Sequence, residues 1–326
     1  MASSGRMMRA LLKQPQVIGR NMSTSGPLSL DLSGVYPPIT TPFNPDESIA
    51  WDQLENNIAK WNQIKLKGFL VQGSNGEYCY LTHQERIDMI EKVKKFAADD
   101  KIVLAGSGCE STTHTIEMTK AMAQVGADAA VIITPCYFKG KMNGEALKQH
   151  YLRVADNVPI PVVLYSVPAN TGIDLPVQIV KELSGHPNII GMKESGGDIA
   201  KIGEMVHLTK DEDFQVLAGS ASFLMASLQV GAVGGICALA NALPQEVVEL
   251  QSLVERSALG QARDLQHRLI TPNAIVTKGL GVPGLKKAMD WLGYYGGPTR
   301  SPLLPLNTGE TARLRNVFQS QGFLSA

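Results

Sequence analysis

The sequence predicts an α/β protein, a (β/α)8 TIM barrel with additional C-terminal helices, and three observations carry that expectation. Eight short apolar runs recur between residues 34 and 239. Amphipathic stretches with helical spacing separate them. A dinucleotide fingerprint is missing, because Gly106-Ser107-Gly108 supplies only the first part of a G-x-G-x-x-G turn. Alternating strands and helices specify a parallel sheet covered by helices, and eight such pairs fit a closed barrel better than an open doubly wound sheet.

The runs are Gly34–Phe43, Gly68–Gln72, Ile102–Gly106, Ala129–Thr134, Val162–Tyr165, Ile189–Lys193, Gln215–Gly219 and Gly234–Leu239. They are mostly β-branched or Leu-rich and are followed by turn-forming residues, as strands buried on both faces are. Between them, Asp52–Ile64 spaces Leu54, Ile58 and Trp61 along one helix face. Thr82 with Glu85 three residues on is a capping-box start, and Ile87, Ile90 and Val93 continue its stripe. Thr113–Gln124 stops near Gly126, Pro176 opens the next helix and Pro244 a longer one. Extra helices are expected over Thr271–Gly297, with breaks at Pro272, Gly279–Pro283 and Gly296–Pro298. The expected organisation is therefore a leader over 1–30, a barrel over 31–270 and a helical extension over 271–326.

Composition narrows the function. The 326 residues hold 30 Lys+Arg against 30 Asp+Glu, with 44% apolar and 18% charged residues. The low charged fraction favours a large core and a buried subunit interface. Zero formal charge and no basic stripe argue against nucleic acid as partner. No apolar run has the ~18 residues of a membrane span. The leader differs from the rest: Arg6, Arg9, Lys13 and Arg20 precede the first acid, Asp31, among Ser3, Ser4, Ser23 and Ser25. A basic, Ser-containing, acid-free and amphipathic start is the signature of a mitochondrial transit segment, so the expected location is the matrix. Cys79, Cys109, Cys136 and Cys237 lie far apart, which suggests free thiols. The six histidines form neither H-x-x-x-H nor H-x-H, and nothing proposes a metal site.

In such a barrel the chemistry belongs at the C-terminal ends of the strands. One of these ends carries a lysine, Lys193. Period-two alternation puts Ile189, Gly191 and Lys193 on one face, with Glu194 pointing the other way. Burial disfavours an ammonium, and a neutral amine facing a ketone is set up for Schiff-base chemistry; the competing reading is a snorkelling or salt-bridged lysine. Tyr165 ends the preceding strand, close enough to move protons at the same ligand, although a lone tyrosine is more often packing. Gly73-Ser74-Asn75-Gly76 offers N–H, hydroxyl and amide donors to a carboxylate, or is simply a tight turn.

With Tyr165-Ser166-Val167-Pro168, Thr171-Gly172, Gly191-Met192-Lys193-Glu194-Ser195-Gly196-Gly197-Asp198 and Gly284-Leu285-Lys286-Lys287-Ala288-Met289-Asp290, these segments resemble the dihydrodipicolinate synthase / N-acetylneuraminate lyase family of class I aldolases. Gly106–Ser111, Thr134–Tyr137 and Asp290–Pro298 resemble more narrowly its mitochondrial 4-hydroxy-2-oxoglutarate aldolase branch. The resemblance implies Lys193 as the Schiff-base lysine and Tyr165 as the proton shuttle. It implies that Ser74, Asn75, Ser195 and Gly219 contact substrate, Asn75 departing from a usual hydroxyl pair. Tyr137 matches a tyrosine that relatives donate across a dimer interface into a proton relay. Asn170 stands where lysine-pathway synthases carry an arginine that grips an aldehyde's carboxylate. The implied activity is retro-aldol cleavage of 4-hydroxy-2-oxoglutarate to pyruvate and glyoxylate, without cofactor or metal, by a homotetramer built from dimers acting on a small 2-oxo acid. Three rivals stand beside it: a sister enzyme acting on a sugar acid, sialic acid or aspartate semialdehyde, a metal-dependent aldolase, and a non-catalytic binding paralogue.

Overall fold

The computed structural model describes residues 30–325. The leader reading falls on residues outside the described ones, apart from Leu30. Each apolar run supplies a strand: β1 (Gly34–Tyr36), β2 (Gly68–Val71), β3 (Ile102–Ala105), β4 (Ala129–Ile133), β5 (Val162–Ser166), β6 (Ile189–Glu194), β7 (Gln215–Ala218) and β8 (Gly234–Ile236). All pairings are parallel, running from β2 to β8 in sequence order and then from β8 to β1. The ring closes between β1 and β2. There the Lys67 N–H donates to the Val35 carbonyl, Leu70 to Pro37 and Ile39 to Leu70. β1 is shorter than its apolar run because Pro37 and Pro38 bring no N–H to a ladder.

Among the described residues twelve α-helices accompany the strands: α1 (Trp51–Asn62), α2 (His83–Phe96), α3 (Thr112–Gln124), α4 (Gly144–Ala155), the single turn α5 (Pro168–Thr171), α6 (Val177–Ser184), α7 (Ile199–Leu208), α8 (Leu224–Gln229), α9 (Pro244–Glu255), α10 (Leu259–Ala274), α11 (Gly281–Trp291) and α12 (Thr308–Ser320). The capping box of α2 is formed: Glu85 N–H donates to Thr82 Oγ1 at 3.2 Å and Thr82 N–H to the Glu85 carboxylate at 2.8 Å. None of the described helices is long and apolar enough to cross a membrane.

Leu32, Tyr36, Leu70, Leu104, Val131, Val163, Tyr165, Ile190, Leu217 and Ile236 fill the inside of the ring. The residues alternating with them, such as Leu164, Met192 and Val216, pack outward under the helices. One strand departs from strict alternation. The β5–β6 register steps from Val162↔Ile189 to Val163↔Gly191, so β6 carries one extra residue. That bulge turns Ile189 outward with Met192 while Ile190 packs inside, so Ile189 does not share the face of Gly191 and Lys193.

The C-terminal region corrects two further expectations. Pro272 does not break a helix; α10 runs through it to Ala274 and loosens into a π-helical stretch over Ile275–Gly279, where the Leu280 N–H reaches back to the Ile275 carbonyl. The boundary drawn at 270/271 falls inside α10.

Candidate active site

β6 delivers Lys193 to the C-terminal mouth of the barrel, level with Tyr165 on β5 and Leu217 on β7. Its side chain is 3% exposed, and Nζ lies 3.9 Å from the centroid of the Tyr165 ring. The two residues named from the sequence are thus face to face. An amine held on an aromatic face, screened from water, has no carboxylate beside it among the described residues. Glu194 points outward as expected, fully buried, and pairs with Lys201 of α7 at 3.1 Å. Burial raises the Glu194 carboxyl above its ordinary range, and Lys201 opposes that rise. Lys201 also pairs with Asp174, which accepts a hydrogen bond from Ser166 Oγ at 3.1 Å. This outward network takes up the charges next to Lys193 on β6, and the Glu194 carboxylate holds the Gly196 N–H of the following loop.

Ser195 and Gly219 are brought together at the ends of β6 and β7. The Gly219 N–H donates to the Glu194 carbonyl at 2.7 Å. A Cβ at Gly219 would fall 1.9 Å from Ser195 Oγ and 2.7 Å from the Glu194 carbonyl oxygen, a backbone atom that a hydroxyl rotation does not move, so glycine lets the two strand ends approach. Ser195 Oγ itself is buried with no hydrogen-bond partner among the described residues. Next to the mouth, burial pushes the Cys237 thiol up to about 12, which leaves it an inert neighbour of Lys193.

Across the mouth, the chain leaves β2 into a 3-10 turn, Ser74–Gly76, and Thr41 Oγ1 donates to the Gly76 carbonyl at 2.7 Å. Ser74 and Tyr165 line one cavity with Leu70, Gln72, Gly106 and Ile133. Asn75 is half-buried in the same turn. The turn is anchored from behind by Glu77, whose carboxylate pairs with Lys286 of α11 at 2.6 Å, both side chains being essentially unexposed. Lys286 also donates to the Pro298 carbonyl, and the Arg300 N–H donates to Glu77. The C-terminal extension therefore supports the loop that carries Ser74 and Asn75.

Tyr137 is not part of its own chain's mouth. It is 78% exposed beside Phe138, with its backbone N–H held by the Glu110 carboxylate at 2.8 Å. Asn170 is exposed on α5. Among the described residues no three of His, Cys, Asp and Glu gather as a metal ion would need. Sequence reasoning missed the Glu194–Lys201–Asp174 network, Gln72 and the roles of Glu77 and Lys286. Lys286 lay inside one of the motifs and Glu77 directly followed another, but nothing in their spacing linked them.

The model of the Dihydrodipicolinate synthetase family matches residues 31–321. A 4-hydroxy-tetrahydrodipicolinate synthase of Methanothrix thermoacetophila is 34% identical over 293 residues, covering 90% of this chain and 98% of that protein. One of Methanoculleus marisnigri is 35% identical over 291 residues, covering 89% and 99%. Among solved structures, a dihydrodipicolinate synthase of Acinetobacter baumannii, complexed with pyruvate, superposes with a TM-score of 0.85 at 29% identity, covering 90% and 100% of the two chains. These relatives bear the name of the synthase and not that of the narrower aldolase branch.

Proposed function

Because the chain belongs to the dihydrodipicolinate synthetase family of class I pyruvate-dependent aldolases and synthases, we propose that this member runs the aldol reaction in the cleavage direction, splitting 4-hydroxy-2-oxoglutarate into pyruvate and glyoxylate. The observation that carries the Schiff-base part is the buried Lys193 Nζ on the Tyr165 ring at the barrel mouth. The Lys193 amine attacks the C2 ketone, Tyr165 gives its phenolic proton to the hydroxyl that departs as water, and the cationic imine left behind acts as an electron sink. The Tyr165 phenolate so formed takes the C4 hydroxyl proton, the C3–C4 bond breaks, its electron pair enters the imine to form an enamine while glyoxylate departs, and Tyr165 then holds the proton that C3 receives. Protonation at C3 and hydrolysis release pyruvate and restore the amine. Ser74 and Asn75 hold the carboxylate beside the imine, and Ser195 at the opposite wall offers a hydroxyl with no other partner.

Asn170 favours cleavage over the synthase reaction, since a neutral amide replaces the guanidinium that the resemblance places there in synthases and removes a bidentate carboxylate anchor. The second reading is condensation of pyruvate with aspartate semialdehyde, favoured by the names that relatives at 34–35% identity carry. Mass spectrometry after borohydride treatment with pyruvate tests the chemistry, with a reduced adduct expected on Lys193. Glyoxylate release from 4-hydroxy-2-oxoglutarate, set against turnover of aspartate semialdehyde with pyruvate, separates the two substrates. Exposed Tyr137 and Phe138 suit a homotetramer in which Tyr137 enters a neighbour's site, and the basic leader suits matrix import. Sedimentation and import of the full chain into isolated mitochondria check these two parts.

A further inference from the structure

Gln72 has no role in the chemistry described so far, yet three properties set it apart. Its side chain is 2% exposed, and neither its amide nitrogen nor its amide oxygen has a hydrogen-bond partner among the described residues. Its backbone sits in the left-handed region at φ 67°, which a non-glycine residue adopts at a cost in strain. It also lies on the wall of the cavity that Ser74 and Tyr165 line, two residues before Ser74. The remainder of that wall is hydroxyl-bearing, apolar or glycine: Tyr78, Leu70, Val131, Ile133, Gly106 and Gly108 among them. A core position filled for stability would satisfy an amide or replace it with a hydrocarbon of the same size. A strained residue with an unspent amide on the wall shared by Ser74 and Tyr165 is instead placed as a group kept for a ligand.

We infer that Gln72 is a substrate-binding residue, whose Nε2–H donates to the carboxylate adjoining the carbonyl of the 2-oxo acid. A primary amide carries two N–H donors and one acceptor, so it complements a carboxylate without neutralising it. Gln72 and Ser74 then grip one anion from the same strand end, beside the Tyr165 ring that bears Lys193. The glycines of the β3 loop make this approach possible, since a Cβ at Gly106 would fall 2.1 Å from the Gln72 carbonyl oxygen. This inference rests on the pyruvate-handling reading above.

The test is borohydride trapping of Lys193 in the full chain at graded concentrations of pyruvate and of methyl pyruvate, which lacks the carboxylate charge, together with melting temperature. Gln72→Leu should raise the half-saturating pyruvate concentration about tenfold, raise that for methyl pyruvate, whose ester carbonyl is a weaker acceptor, by about threefold or less, and melt no lower than the parent. Gln72→Glu, which adds a like charge, should shift the pyruvate curve further than Gln72→Leu. Gln72→Leu with an unchanged pyruvate curve overturns the inference, as does an equal shift for both probes with a lowered melting temperature. Absence of any adduct in the parent would instead overturn the underlying Schiff-base reading.

Discussion

Replacing Lys286 with methionine should destabilise the fold by about 3–5 kcal/mol, the usual loss when one partner of a buried ion pair is removed. The structure puts the variant in that range for three reasons. Glu77 is left fully buried opposite an apolar side chain, where it had a cation at 2.6 Å. The Pro298 carbonyl loses its 2.7 Å donor, and Phe43 loses a cation 4.5 Å from its ring centroid. Burial already lowers the Lys286 pKa from its ordinary value, with Glu77 opposing, so the pair is held together against desolvation. Methionine keeps most of the volume, which isolates the charge from the packing. In a domain of this size the loss corresponds to roughly 5–8 °C in melting temperature. Denaturant unfolding of the single variant and of the double variant Lys286→Met with Glu77→Gln measures it. The neutral pair should recover most of the loss, because the glutamine still accepts from the Arg300 N–H. A single-variant loss under about 1 kcal/mol, the range of an exposed pair, or a double variant as unstable as the single, would refute the reasoning.

Other outcomes follow from the same geometry. Lys193→Met should abolish the borohydride adduct and lower turnover by roughly four orders of magnitude or more, with circular dichroism unchanged. Tyr165→Phe should keep the adduct while slowing turnover about 10²–10⁴-fold, so an undiminished rate assigns the proton transfer elsewhere. Gly219→Ala should destabilise by about 1–3 kcal/mol and weaken substrate binding, since the new methyl must displace Ser195; an unchanged KM would separate Ser195 from the substrate. His150, buried against Thr112 and Tyr151, has its pKa lowered by burial from 6.5 to about 4. The unfolded chain therefore binds a proton there that the folded chain refuses, and stability should decline as pH falls from about 6.5 to 4, on the order of 3 kcal/mol in all. His150→Gln should flatten that portion of the stability–pH curve.

The strands were legible because both of their faces are buried, so continuous apolar runs mark them whatever the local alternation. The same feature hid the bulge in β6. Ile189 and Ile190 are equally apolar, and nothing in their chemistry tells which one faces the ring. Lys193 was legible because a lysine at the end of an apolar strand is chemically out of place. Gln72 was not, since a glutamine before a glycine turn reads as ordinary loop polarity until its burial and its missing partners are seen. The Glu77–Lys286 pair joins residues far apart in the chain, and neither is periodic with its neighbours. Pro272 misled in the other direction: a proline near the end of a helix removes only one hydrogen bond, and the widened turn after it absorbs the rest.

The ring has a seam. Between β1 and β2 the two prolines withhold donors, and the join rests on the amides of Lys67, Leu70 and Ile39. Sub-global openings of the sheet should therefore begin there, and those amides should exchange with deuterium sooner than their counterparts in β5 and β6. Because the segment from Gln72 to Glu77 springs directly from one lip of this seam, a 2-oxo acid bound across the mouth would act as a suture. Protection of the Ile39 and Lys67 amides on adding pyruvate would report occupancy of the site from residues that lie outside the cavity wall.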